Sequence, residues 1–90
     1  MDNQTIREAV ELWTKIDRLV NYKKKAIEKY GHISTWQTGE VTDMSRLFEG
    51  KTEFNEDIST WDVSKVTDMR SMFQSASLFQ VIFIFIYLYL

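Results

Sequence analysis

Apolar residues enter the chain at Ile6, Val10, Trp13, Ile16 and Val20, with Ala9 and Leu19 beside them. Spacings of three and four place them on one stripe of an α-helix. Thr5 stands where a cap belongs, and Glu8, three positions on, can reach back to it. Residues 5–30 therefore read as helical with a capping-box start. The stripe falters over Asn21, Tyr22, Lys23, Lys24 and Lys25, then resumes at Ala26, Ile27 and Tyr30 before Gly31, a residue suited to the left-handed stop after a helix. That pattern predicts two helices with a joint near 21–23, or one bent helix.

After Gly31 the period changes and the chain repeats itself. Ile33, Ser34, Thr35 and Trp36 return 25 residues later as Ile58, Ser59, Thr60 and Trp61, and Val41, Thr42, Asp43 and Met44 return as Val66, Thr67, Asp68 and Met69. Phe48 and Phe54 return as Phe73 and Phe79, so ten of the 23 positions from 33 to 55 match their counterparts. A period of this length marks stacked repeats, because one such unit cannot bury enough apolar surface to order itself. Within each unit the β-branched and aromatic residues at 33–36 and 58–63 read as a short strand. A short helix is expected next, capped by Thr42 or Asp43 before Met44, Leu47 and Phe48, and by Thr67 or Asp68 before Met69, Met72 and Phe73. Gly50 suits the stop of the first helix, and Ser75 stands at its counterpart. The expected architecture is an α/β repeat: a short leucine-rich-repeat-like β/α solenoid of about two 25-residue repeats over 32–80, with residues 1–31 as an N-terminal helical cap.

Residues 81–90, Val-Ile-Phe-Ile-Phe-Ile-Tyr-Leu-Tyr-Leu, depart from the repeat and form an apolar C-terminal tail. Ten residues of helix reach only about 15 Å against a hydrocarbon core of about 30 Å, so a membrane anchor needs the longer stretch 72–90. Three readings stay open: a shifted-frame tail on a truncated array, a membrane anchor, and a final buried strand. Uncharged, β-prone and free of proline, the tail is an aggregation hazard wherever it is exposed.

Composition narrows the classes further. The chain of 90 residues has no cysteine, which excludes a disulfide framework and thiolate metal sites. Its 13 acidic and 11 basic side chains give a formal charge of -2, no field for nucleic acid. The run Lys23-Lys24-Lys25 reads as a solvated helix face. A polar, acidic opening at residues 1–5 lacks the charge and apolar core of a secretory signal, which sets the expected location as cytoplasmic, with membrane association through the tail as the alternative.

The string from Ile58 to Met69, followed by Met72 and Phe73 and preceded by Phe54, Asn55, Glu56 and Asp57, resembles the BspA-like leucine-rich repeat surface proteins, a family also described as a mycoplasma-type repeat of unknown function. The lead-in from Glu28 to Ser34 looks like the segment that often precedes the first repeat of that family. The resemblance covers about residues 26–80. It implies a β/α solenoid and, for better studied relatives, surface adhesion and protein binding.

No catalytic constellation is visible. His32 is the single histidine, with no second base and no nucleophile motif, and so reads as structural or surface. Asp43 and Asp68 could together offer calcium two carboxylates, too few for six to eight oxygens, so they are expected to cap helices. Trp36 and Trp61 are expected in the core. The glycines Gly31, Gly39 and Gly50 are too far apart for a phosphate loop. The expectation is a non-enzymatic protein-interaction repeat module, a fragment of a longer surface or adhesion-type protein, with no cofactor and no metal. Its candidate surface is the polar positions that differ between units: Gln37, Glu40 and Arg46 against Asp62, Lys65 and Arg70. The alternative function is a small membrane-associated protein held by residues 72–90.

Overall fold

The first helix, α1, spans Asn3–Thr14 and begins earlier than the capping-box reading placed it. Asp2 is the cap: its Oδ1 accepts from the Thr5 amide at 2.7 Å, while Glu8 accepts from Gln4 four residues back. Ile6, Ala9, Val10 and Trp13 form its buried stripe. The helix then stops short. The Thr14 hydroxyl bonds back to the Val10 carbonyl at 2.7 Å, and the Asp17 carboxylate captures the Leu19 amide at 2.7 Å, a local turn that competes with helix. Ile16 and Leu19, assigned by periodicity to the buried stripe, are 76% and 94% exposed in this connection. The joint thus lies at residues 15–21, ahead of the expected place. A second helix, α2, spans Tyr22–Tyr30, with the Asn21 side chain accepting from the Lys24 amide and Gly31 closing it at φ 81°. That positive φ favours glycine.

Past α2 the computed structural model, which describes residues 1–76, overturns the expected solenoid of alternating strands and helices. The molecule is a small, compact all-α domain: two helices packed on an aromatic cluster, with no β-strand among the described residues. Where strands were expected, Ile33–Thr35 is a single 3-10 turn, and the amides of Trp36 and Trp61 both bond back three residues, to Ile33 and Ile58. A backbone folded on itself in this way cannot extend. Nor do the short helices form. Asp43, Asp57, Asp62 and Asp68 each accept from the amide two residues on, which makes them turn formers rather than helix caps. Arg46, Ser71 and Ser75 have φ of 57°, 55° and 60°, outside any right-handed helix.

The two copies nevertheless share one conformation. Arg46 and Ser71 are counterparts at offset 25, as are Gly50, at φ 73°, and Ser75. Turn bonds from Leu47 to Met44, Glu49 to Arg46 and Lys51 to Phe48 recur as Met72 to Met69, Gln74 to Ser71 and Ala76 to Phe73. Between these turns alternate amides leave the copy altogether. Met44, Arg46, Phe48 and Gly50 donate to the carbonyls of Asp68, Arg70, Met72 and Gln74 at 2.8 to 2.9 Å. The lone bridge among the described residues, Asp43 to Asp68, is parallel and belongs to this row.

Side chains stack above it in the same order. Trp36 lies on Trp61 with centroids 6.0 Å apart and planes at 21°, Phe48 lies on Phe73 at 5.6 Å and 7°, and Trp13 of α1 meets Trp36 edge-on at 5.8 Å. Met44 and Phe48 are fully buried. The Trp61 indole donates to the Ile33 carbonyl at 2.8 Å within this core, so one residue joins ring stacking to a buried hydrogen bond across the copies. Trp61→Ala is expected to lower stability by about 3 to 5 kcal/mol. Leu19→Ala should move it by less than about 0.5 kcal/mol. Urea unfolding followed by far-ultraviolet circular dichroism measures both.

Candidate functional site

The first copy has two edges. One donates to the second copy, as described; the other faces α1, which carries Asn3, Arg7 and Glu11 at intervals of four along one stripe. Asn3 Oδ1 accepts from the amides of Thr42 at 2.9 Å and Asp43 at 3.2 Å, and its Nδ2 donates to the Thr42 hydroxyl. Arg7 donates to the Ser45 carbonyl at 2.8 Å, to the Asp43 carbonyl at 3.4 Å and to the Asp43 carboxylate at 3.2 Å. Glu11 pairs with Lys51 at 2.9 Å.

These partners repeat the bonds between the copies, position by position. The carbonyls of Asp43 and Ser45 take the Arg7 guanidinium; their counterparts, Asp68 and Arg70, take the amides of Met44 and Arg46. The Thr42 amide finds Asn3 Oδ1, whereas the Thr67 amide finds the Thr42 carbonyl at 2.8 Å. The N-terminal ammonium donates to the Gln37 carbonyl at 2.9 Å, and at offset 25 the Thr38 hydroxyl donates to the Asp62 carbonyl at 3.0 Å. Side chains of α1 and the chain's own amine thus stand in for the groups of a neighbouring copy. Asn3, Arg7 and Glu11 were not singled out from the sequence, although this polar stripe beside an apolar one was there to be read.

The second copy presents its own outer edge. Thr67 O, Met69 N and Ser71 N correspond to Thr42 O, Met44 N and Arg46 N, all three of which bond to the next copy. Among the described residues these three groups of the second copy have no hydrogen-bond partner. Residues 67–71 line a shallow depression of about 760 Å³ there. Val66 and Met69 are half-buried, whereas their counterparts Val41 and Met44, covered by the second copy, are fully buried.

All six positions proposed from the sequence lie exposed on the surface. Glu40 and Lys65 come together in an ion pair at 3.0 Å, so the charge reversal between copies is a contact between them. As an exposed pair it contributes about 0 to 1 kcal/mol. Arg46 pairs with Glu49 within its own copy and Arg70 with Asp68. The Gln37 side chain donates to the Thr35 carbonyl, and Asp62 caps its turn at the Ser64 amide. His32 accepts from the Ser34 amide through Nδ1 and meets Trp13 edge-on at 5.2 Å. Among the described residues no three of His, Cys, Asp and Glu gather closely enough to hold a metal ion. A cleft of about 860 Å³ between the helix connection and residues 50–56 mixes Ile16, Leu19 and Phe54 with Lys15, Lys51 and Glu53. It brings no nucleophile to a base.

Hydrogen bonds set the aspartate acidities. Those from Ser45 lower Asp43, helped by Arg7; those from Ser59 and Ser64 lower Asp57 and Asp62; those from Arg70 lower Asp68 to about 2. Between that value and the usual 3.8, the unfolded chain binds protons that the folded chain does not. Stability is therefore expected to fall as the pH drops from about 4 to about 2. Asp68→Asn, which keeps an acceptor for the Arg70 amide, should flatten that slope in urea midpoints taken across the window. Arg7→Ala should cost about 1 to 3 kcal/mol by orphaning two carbonyls, and Arg7→Lys should recover only part, since an ammonium lacks the fork that spans both. The same urea titration at neutral pH separates the three proteins.

Among the described residues no helix is long and apolar enough to cross a membrane. The expectations for the tail at 81–90 and for most of the 72–90 anchor fall on residues outside those described. No curated protein and no solved structure matches the chain. A family model described as a Mycoplasma protein of unknown function, DUF285, matches residues 3–82, a span that takes in α1, α2 and both copies. With most of its 90 residues so matched, the chain belongs to the DUF285 family.

Proposed function

We propose that this chain is a non-enzymatic protein-interaction module whose partner is a polypeptide held along the outer edge of the second copy. The observation that carries the reading is the set Thr67 O, Met69 N and Ser71 N, unpartnered among the described residues and standing 25 positions on from the bonded groups Thr42 O, Met44 N and Arg46 N. A row of unpaired main-chain groups can capture a polypeptide through main-chain bonds, with apolar contacts beside the row supplying selectivity. The half-buried Val66 and Met69 beside them offer the apolar surface that such a segment would cover. Resemblance of residues 58–69 to BspA-like surface repeats, whose better studied members bind protein, supports the same class of partner.

The test is an array of arbitrary 12-residue peptides probed with the full chain and with a synthetic full chain in which ester linkages remove the N–H groups of Met69 and Ser71. Peptide retention by the first and its loss by the second is the expected result. If no peptide is retained, or the esters change nothing, the reading fails.

A further inference from the structure

Resting on that reading, the geometry points to a particular partner: we infer that the 67–71 edge takes, in parallel register, a polypeptide segment bearing the chain's own Val-Thr-Asp-Met-x-x-Met-Phe pattern, presented by a molecule in which nothing already covers that segment.

Complementarity is set out by the contact between the two copies. A segment of this pattern carries a threonine whose amide and hydroxyl both bond to the Thr42 carbonyl, at 2.8 and 3.2 Å, and the Thr67 carbonyl, unpartnered among the described residues, stands at the same place one copy on. Two residues apart, its Asp68 and Arg70 carbonyls accept from Met44 and Arg46, which is the spacing that Met69 N and Ser71 N require. Those carbonyls are free to accept because each aspartate side chain serves the turn inside its own copy, Asp68 to the Arg70 amide as Asp43 to the Ser45 amide. Apolar fit follows the same register. Val66 and Met69 of this chain would be covered as Val41 and Met44 are covered now.

Parallel register also excludes a second copy of the whole chain as occupant. Its 68–74 carbonyls already accept from its own first copy, and its 42–45 edge is covered by Asn3 and Arg7. The occupant must bring the pattern with its carbonyls unpaired.

The probe is an acetylated and amidated peptide of residues 64–76, titrated into isotope-labelled full chain and followed by amide chemical shifts, with a scrambled peptide beside it. The expected result is a saturable shift centred on Met69 and Ser71 for the true peptide alone. Removing either N–H by an ester should weaken its binding by about 2- to 12-fold, the worth of one hydrogen bond. Because neither N–H has a partner among the described residues, the ester chains should melt as the parent does, and circular dichroism checks this. A patterned peptide that binds no better than the scrambled one overturns the inference, while ester-sensitive retention on the array would leave the broader reading standing. Binding indifferent to the esters overturns the assignment to this edge.

Discussion

The amide of Met44 meets the carbonyl of Asp68 at 2.8 Å, and the rest of the molecule depends on that offset matching the repeat. Along residues 44–51 the backbone divides its donors. Leu47, Glu49 and Lys51 bond within the copy, and Met44, Arg46, Phe48 and Gly50 bond across to the next. A helix spends all its interior amides on itself and a strand spends none, so this ribbon is neither. Its alternation holds only if the second copy turns wherever the first turns. The matched positive φ values at Arg46 and Ser71, and at Gly50 and Ser75, are the local condition for that.

A row of main-chain bonds must end somewhere, and each end leaves polar groups that need water or a partner. At the α1 end the solution is chemical substitution. A helix has no main-chain groups to offer sideways, so Asn3 supplies the amide-like acceptor and Arg7 supplies two donors with the spread of two backbone N–H groups. The aromatic column is ended in a comparable way. Trp36 has no earlier copy to donate to, so its indole bonds to the Gly31 carbonyl at 2.9 Å while Trp13 packs edge-on against its ring.

How much of this was legible depended on whether a signal was local or relational. Trp36 and Trp61, expected in the core, are buried there ring on ring, and Phe48 and Phe73 stack likewise. Gly31 as the end of α2 was equally legible, since the left-handed position there favours glycine. Secondary structure inside the copies was misread. Val, Ile and Trp at 33–36 and 58–63 suggest strands, yet the turn bonds at Trp36 and Trp61 hold those segments folded. Asp43 and Asp68 read as helix caps, because an aspartate that caps a helix and one that closes a two-residue turn look alike in sequence. Among the site groups, Arg46 and Arg70 are legible as variable charges, while the N–H groups of Met69 and Ser71, unpartnered among the described residues, are invisible to any reading of side chains.

The two ends of the row differ in sign as well as in cover. At the α1 end the first copy presents the carbonyls of Asp43 and Ser45, acceptors that a cationic side chain can satisfy. At the other end the second copy presents Met69 N and Ser71 N, donors two residues apart. One flexible carboxylate could reach one of them, but it has neither the apolar surface to cover Val66 and Met69 nor a donor for the Thr67 carbonyl. A polypeptide carries acceptor, donor and apolar side chain on a single backbone in fixed alternation, the combination this edge lacks. On that ground the partner proposed for this edge is a polypeptide rather than a small anion.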